Sequence, residues 1–274
     1  MTVVVKIGGA QAVDPAGALT DVATLVDDGE SLVVVHGGST AVDETLERMD
    51  IEPEYVETPD GVVGRFTDAE TMEVFKMVFG KLNLDLVTKL QDVGVDAVGL
   101  SGPDGHVLEG SRKSAIRVLE DGKRKIRRGD HSGTIESVND ELLSLLFDGG
   151  YTPVVSVPML AKEGTAVNSD ADRAAAAVAG ALEATLVELT DVSGVYADPD
   201  DPQTRIETVE TPTDFETLEA AAEGFMGRKV MAAREALESG AERVVIGDAN
   251  ADDPISRALA GDGTVVEPAA VSDQ

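Results

Sequence analysis

Short valine-rich runs alternate with helix-length segments along the whole of this 274-residue chain, and that rhythm narrows the possible folds more than any other feature. The runs are TVVVKI (2–7), SLVVVH (31–36), DAVGLSG (96–102), TPVVSVP (152–158), ATLVELT (184–190) and RVVIGD (243–248). Between them lie segments of helical pattern at 14–29, 68–94, 139–150, 170–182 and 227–240, each opening near a capping Asp, Asn or Thr and several closing on Gly. Such βα alternation predicts an α/β fold, a mainly parallel sheet with helices on both faces. No internal repeat or low-complexity linker divides the chain.

One segment departs from the rhythm. In SAIRVLEDGKRKIRRGD (114–130) two strand-like runs flank Asp121-Gly122, the pair preferred in two-residue hairpin turns, which predicts a protruding antiparallel hairpin. It is also a basic island. The chain sets 52 Asp and Glu against 22 Lys and Arg, a formal net charge of −30, yet eight of the basic residues fall between Arg112 and Arg128. Acid spread over the rest of the chain reads as a surface adapted to a salt-rich cytosol, where screening makes self-repulsion tolerable; an ordinary acidic protein, or one with a basic partner, is the other reading. Nucleic acid is disfavoured as a partner, because a field of this sign repels phosphates everywhere except at the island. The absence of cysteine removes disulfide, zinc-thiolate and cysteine-nucleophile chemistry. MTVVVKIGG lacks the features of a signal peptide, and no stretch reaches the ~20 apolar residues of a membrane span, so a cytoplasmic protein without membrane contact is expected.

Glycine turns follow three of the runs, in KIGGA (6–10), HGGST (36–40) and VGLSG (98–102). A glycine turn between a parallel strand and a helix leaves backbone N–H groups free to face an anion, and strand ends are where open α/β sheets bind ligands. Any strand-to-helix turn also favours glycine. Neither the Walker-type phosphate loop nor the GxGxxG dinucleotide fingerprint occurs. Lys6 ends an apolar strand beside Gly8-Gly9 in a lysine-poor chain, which favours a phosphate-facing role over snorkelling or helix capping. The segment GTAVNSDADRAAAAVAG (164–180) crowds Asn168, Asp170 and Asp172 at the entrance to an alanine-rich helix, and plain N-capping accounts for one of the three. EGFMGRKVMAA (223–233) sets Gly224, Arg228 and Lys229 at another helix start, where a cation opposes the dipole unless it faces an anion. His36, His106 and His131 share no metal-ligand spacing and are read as structural.

In the order KIGG, VVHGGS, GRFTD (64–68), VNSDAD (167–172), LTDVSGVY (189–196) and GFMGRKV (224–230), these segments resemble the amino acid kinase family over nearly the whole chain. By motif they resemble the acetylglutamate kinases, and more strongly a carrier-dependent subgroup. The stretch from Leu100 to Asn139 is similar to the long hairpin of a subgroup that acts on glutamate or aminoadipate attached to a LysW-type amino-group carrier protein. The resemblance implies a three-layer αβα sandwich, with an acyl-acceptor lobe at residues 1–183 and an ATP-binding lobe at 184–274. It further implies transfer of the γ-phosphoryl group of ATP to a side-chain carboxylate. That group is already ionised at neutral pH, so no general base is required and positioning plus charge neutralisation suffice.

At the matching positions Lys6 would bridge the attacking and transferring oxygens, Lys229 would neutralise the leaving side, and Asp172 would hold both lysines. Gly8, Gly9, Gly37 and Gly38 would donate backbone N–H bonds to the phosphates and the migrating group. Arg65 would pair with the α-side carboxylate or carbonyl of the substrate, and Asn168 would bind the same end. Thr190, Asp191, Gly194, Tyr196 and Met226 would form the nucleotide pocket. Mg²⁺ would arrive with ATP, held by phosphate oxygens and water without a dedicated protein site. Lys113, Arg117, Lys123, Arg124, Lys125, Arg127 and Arg128 would dock an acidic carrier. Ser39 stands where many acetylglutamate kinases carry a third glycine. Arginine-sensitive hexameric relatives carry an extra amino-terminal helix, whereas the first strand begins here at Thr2, so an arginine-insensitive homodimer is expected. Two other readings stay open. A kinase for free N-acetylglutamate would leave the island as a solvated hairpin or pair it with the protein's own acidic surface, and a non-catalytic nucleotide-binding member of the fold would not need both lysines and their organising aspartate.

Overall fold

A computed structural model describes residues 1–8, 15–59, 61, 63–120, 122–222 and 224–272. In chain order it runs β1 (Thr2–Ile7), α1 (Pro15–Asp27), β2 (Ser31–His36), α2 (Ser39–Arg48), β3 (Tyr55–Glu57), β4 (Val63–Arg65), α3 (Ala69–Asp92) and β5 (Ala97–Ser101). There follow β6 (Leu108–Glu120), β7 (Lys123–Val138), α4 (Asp140–Asp148), β8 (Thr152–Ser156), β9 (Met159–Ala161), β10 (Ala166–Val167) and α5 (Ala171–Ala181). The remainder is β11 (Thr185–Thr190), β12 (Thr208–Val209), α6 (Pro212–Ala221), α7 (Gly224–Glu238), β13 (Arg243–Asp248), α8 (Pro254–Leu259) and β14 (Thr264–Val266).

All six valine-rich runs enter one sheet, ordered β12-β14-β13-β11-β1-β2-β8-β5, in which only β13 and β14 pair antiparallel. The runs are continuously apolar because both faces of the sheet are covered. Val4 of β1 packs into a core with α5 and α7, while Val3 and Val5 enter a second core with α1 and α8. This is the three-layer αβα sandwich. Residues up to 183 supply β1, β2, β8 and β5 together with a second sheet, β10-β9-β6-β7, and later residues supply β11 to β14. The β1–β11 pairing, from Val3 opposite Thr185 to Lys6 opposite Glu188, joins the two halves edge to edge.

The hairpin is longer than the segment that announced it, pairing from Leu108 with Val138 out to Glu120 with Lys123. That register closes the turn on two residues. Gly122 has φ +70°, as a tight hairpin turn demands, and Asp121 lies outside the described residues. Helix α7 begins at Gly224, three residues before the predicted segment, which puts Arg228 and Lys229 in its second turn rather than at its start. Arg228 there donates to the Val63 carbonyl and lies 3.9 Å from Asp170, so its charge ties α7 to β4 and α5. The short helices α2, α6 and α8 come in addition to those read from the sequence; α2, for example, buries only Val42 and Leu46, too few positions to show a helical period.

Asp21 of α1 supplies a cap that α8 lacks. The residue before α8, Asp253, has φ +49° and makes no capping bond with its own side chain. The buried Asp21 carboxylate instead accepts from the Ile255 N–H at 2.6 Å, the Ser256 N–H at 2.8 Å and the Ser256 hydroxyl at 2.5 Å. Asp21→Ala is expected to cost about 2–3 kcal/mol by stranding those donors, read as a lower midpoint in denaturant unfolding with an unchanged slope. A loss below about 0.5 kcal/mol would show that water takes over the cap.

Candidate active site

The site grows from one register. Lys6 and Glu188 are opposite one another on adjacent parallel strands, so both side chains rise from the face that α5 and α7 cover. Helix α5 approaches that face closely because its buried positions are small, Ala174, Ala175, Ala176, Ala179 and Gly180, with Val178 the largest. Asp170 caps it, accepting from the N–H groups of Asp172 at 3.0 Å and Arg173 at 3.1 Å, and this leaves Asp172 in the first turn, directed at the strand ends. A bidentate pair, Arg173 to Glu235 at 2.8 and 2.5 Å, locks α7 alongside and brings Lys229 over Glu188.

The Lys6 ammonium pairs with Asp172, and the Lys229 ammonium lies 3.2 Å from Asp172 and 3.0 Å from Glu188. Lys6 and Lys229 are each 7% exposed and Glu188 is fully buried. Two ammonium groups and two carboxyl groups thus share one dry pocket at the end of β1. Burial alone would raise the Asp172 carboxyl, but Lys6 and Lys229 overcome it and hold Asp172 well below the usual carboxylate range. Burial would lower the Lys229 ammonium, but Glu188 and Asp172 hold it above its ordinary value. Glu188 behaves oppositely: burial first, then the charge of Asp172, push it up to about 7 against the pull of the lysines.

Gly8 follows β1 directly, and Gly9 lies outside the described residues. Gly37 donates its N–H to the Ile7 carbonyl at 3.2 Å, so its expected donation to a ligand competes with a bond inside the protein. Gly38 is packed on α3, where an added Cβ would come within 2.5 Å of Leu82 Cδ1. Beneath this turn His36 is buried; its Nδ1 lies 3.1 Å from the Gly37 carbonyl and must carry the proton, and its Nε2 accepts from Asn83 at 3.2 Å. Burial lowers the pKa of His36, which keeps it neutral and makes it a brace for the glycine turn.

Arg65 and Asn168 are linked through Thr67. Asn168 donates to the Thr67 hydroxyl at 3.2 Å, two residues beyond Arg65, and the Thr67 N–H is anchored on the buried Asp130 at 3.2 Å. Arg65 donates to Asp43, to the Tyr55 hydroxyl at 3.0 Å and to the Ser39 carbonyl at 3.1 Å, and it lies over the rings of Tyr55 and Phe75. A cavity of about 310 Å³ opens between Met72, Glu73 and Lys76 of α3, His131 of β7 and residues 164–166, and Asn168 adjoins it by donating its N–H to the His131 carbonyl at 2.7 Å.

Of the positions read as a nucleotide pocket, Thr190, Asp191, Gly194 and Tyr196 lie at and beyond the end of β11. Thr190 closes β11, its carbonyl accepting from Ala249 at 2.7 Å and its hydroxyl donating to Asp191 at 3.1 Å. Gly194 lies against Thr264, whose hydroxyl accepts from the Val195 N–H at 2.8 Å, and Tyr196 pairs with Arg205. Met226 sits one turn before Lys229 on α7, half-buried.

The hairpin register sorts the basic island into two faces. Ile116 and Val118 point inward onto Val56 and Phe66, so their cross-strand partners Arg127 and Lys125 share that side. Arg127 pairs with Glu54 at 2.6 Å and Glu120 at 3.1 Å and stacks over Phe66, and Lys125 pairs with Glu120 at 2.8 Å. Lys123 lies at the tip and Lys113 at the base, both exposed. The outward face presents Arg117, Arg124 and Arg128 around Ile126, which is 65% exposed, and among the described residues these three arginines make no ion pair.

Sequence reasoning passed over Glu188, Asp43, Asp130 and Asn83. An acid inside the run TLVEL was a visible signal for Glu188, since a buried strand excludes a lone charge unless cations wait for it. Nothing local marked Asp43, whose partners lie 12 and 22 residues away.

A family model described as the amino acid kinase family matches residues 1–248. A Deinococcus radiodurans protein named LysW-aminoadipate kinase is 46% identical over 266 residues, covering 96% of this chain and 91% of that protein. A Thermus thermophilus protein of the same name is 44% identical over 268 residues, covering 96% and 99%. Among solved structures, N-acetylglutamate synthase from Neisseria gonorrhoeae is similar with a TM-score of 0.77 at 24% identity; the match covers 97% of this chain but only 59% of the synthase, and shows likeness of fold.

Proposed function

The chain belongs to the amino acid kinase family, and on that footing we propose that it phosphorylates the side-chain carboxylate of aminoadipate or glutamate while the amino acid is attached to an acidic LysW-type carrier protein. It is a phosphotransferase that uses ATP and has a carboxyl group as acceptor. An oxygen of the acceptor carboxylate forms a bond to the γ-phosphorus as the bond from that phosphorus to the β–γ bridging oxygen breaks, yielding an acyl phosphate and ADP. Lys6 neutralises charge between the attacking and transferring oxygens, Lys229 neutralises it on the leaving side, and Asp172 keeps the two ammonium groups aimed. Arg65 and Asn168 orient the amino-acid end of the acceptor, and the cavity that adjoins Asn168 leaves room for the arm that joins it to the carrier. Magnesium carried on the nucleotide would supply further neutralisation of phosphate charge; Asp172 is already engaged by two lysines, so phosphate oxygens and water would hold the ion. The acceptor lobe comprises residues 1–183 and the nucleotide lobe 184–274, with Lys6 and Asp172 from the first meeting Glu188 and Lys229 from the second.

The observation that supports the carrier over a free acid is the outward face of the hairpin, where arginines surround an exposed isoleucine in a chain of net charge −30. Such a face suits an acidic protein with an apolar contact at its centre. A homodimer and a cytoplasmic address belong to the same proposal; among the described residues no helix is long and apolar enough to cross a membrane. The test is an acyl-phosphate assay at high salt with carrier-linked aminoadipate, carrier-linked glutamate and free N-acetylglutamate. A carrier-linked substrate is expected to exceed the free acid in kcat/KM by about 10²-fold or more, and the two carrier forms to differ by roughly 10–200-fold, the range for one methylene. Equal use of the free acid would establish the acetylglutamate kinase reading instead.

A further inference from the structure

Glu188 has no part in the phosphoryl-transfer scheme, yet it occupies the most protected point of the site. Its Oε2 accepts from Lys229 at 3.0 Å, while Oε1, also buried, has no hydrogen-bond partner among the described residues. The charged groups facing it are Lys6 from β1, Asp172 from α5 and Lys229 from α7. Strand β13 meets it with Ile246, and α8 packs on the opposite face of the sheet with Val187 and Leu189.

With both carboxyls ionised, the two ammonium groups are fully matched inside the protein and present no net charge to a ligand. Nucleotide phosphates reaching the lysines would then compete with Glu188 for Lys229 and be repelled by it across a dry pocket. Protonation removes the repulsion and weakens the competition, since a neutral carboxyl accepts from Lys229 through Oε2 less strongly than a carboxylate. We propose that Glu188 is a positioning residue that takes up a proton as nucleotide phosphates meet Lys6 and Lys229, so that the site binds nucleotide and proton together. The proposal rests on the reading that these lysines face the phosphates. Its chemistry is closed: one carboxylate and one proton from solvent give one carboxylic acid, and the cluster reaches water at Asp172, whose side chain is 13% exposed.

The acid–base balance agrees. Burial and Asp172 place the Glu188 carboxyl near neutrality, at about 7, and an approaching anion raises it further. Asp172 is unsuited to the role, because Lys6 and Lys229 hold it ionised despite burial. The bound state therefore has the higher pKa, and linkage requires that affinity for nucleotide fall as pH rises above the free value.

The experiment is calorimetric titration with the magnesium complex of β,γ-imido ATP, in buffers of different ionisation enthalpy, from pH 7 to 9. The wild type is expected to take up about 0.5–1 proton per nucleotide at pH 8 and to lose affinity by up to about tenfold per pH unit above that. Glu188→Gln, which keeps size and the acceptor for Lys229, is expected to take up none and to bind within about twofold across the range. Glu188→Leu, checked for folding by thermal melt, should abolish uptake likewise. Uptake in Glu188→Gln equal to that of the wild type, or none in the wild type, overturns the proposal while leaving the lysines on the phosphates. A chain that binds no nucleotide overturns the site reading and the proposal together.

Discussion

Lys6→Met is expected to lower kcat by about 10³-fold, with far less effect on KM for MgATP and little on stability. The magnitude is that of removing a fixed positive group from the transferring phosphoryl, where loss of one such group costs on the order of 10²–10⁵. Stability is spared because Asp172 keeps its second ammonium partner, Lys229, at 3.2 Å. The contrast is Lys229→Met. That change strands a fully buried glutamate whose only hydrogen bond is to Lys229 among the described residues, and it is expected to cost about 3–5 kcal/mol as well as activity. Lys6→Arg retains the charge but not the compact shape, and a planar fork does not fit where a 7% exposed ammonium is packed against Asp172 of α5; it is expected to stay at least about 10²-fold below wild type. Steady-state kinetics paired with thermal melts read all three. A Lys6→Met enzyme within tenfold of wild-type kcat would remove the lysine from the reaction.

Changing Arg117, Arg124 and Arg128 together to glutamate is expected to raise KM for the carrier-linked substrate by about 10–100-fold while KM for MgATP stays unchanged. These three share the outward face with Ile126 and have no ion-pair partner among the described residues, so reversing them removes attraction without breaking a contact inside the hairpin. Arg127 is the wrong residue for this test. It holds Glu54 and Glu120 and covers Phe66, so its reversal would loosen β6, β7 and the strand pair beneath them. Salt separates two mechanisms. With a Debye length of about 3 Å at 1 M, steering over a distance vanishes, so an effect that persists in molar KCl marks direct contact between the arginines and the carrier. Unchanged KM for the carrier substrate in the triple variant would shift the docking role away from this face. Ile126→Ser supplies an independent arm, since loss of an apolar centre acts on dissociation and is insensitive to salt.

The α/β architecture was legible from local pattern. Six runs predicted as strands all joined one sheet, and the Asp-Gly pair marked the hairpin turn that the register closes at Glu120 and Lys123. The helical segments were found with boundaries off by a few residues, the largest consequence being at α7, where an earlier start moves Lys229 one turn inward. Lys6, Asp172 and Lys229, nominated from three separated motifs, converge within hydrogen-bonding range of one another. Asn168 bonds to Thr67, two residues beyond Arg65, but the aspartate and tyrosine that hold Arg65 carried no local mark.

What the sequence alone determined is whatever repeats along the chain or lies within a few residues: strand and helix periods, caps, the two-residue turn and the sign of the charge on each segment. Those are properties of neighbours, governed by backbone geometry and by which side chains tolerate burial. What only the tertiary structure decided is the environment of each charge. Glu188, in the sequence an acid in a strand, titrates near neutrality because packing buries it fully and brings Asp172 to it, against the pull of Lys6 and Lys229 from two further elements. The basic hairpin, a single island in one dimension, divides into a neutralised inner face and an open outer one because alternate strand residues face opposite sides and only one side finds carboxylates. Electrostatic energy depends on distance and on exclusion of water, and both are set by packing between residues far apart in the chain.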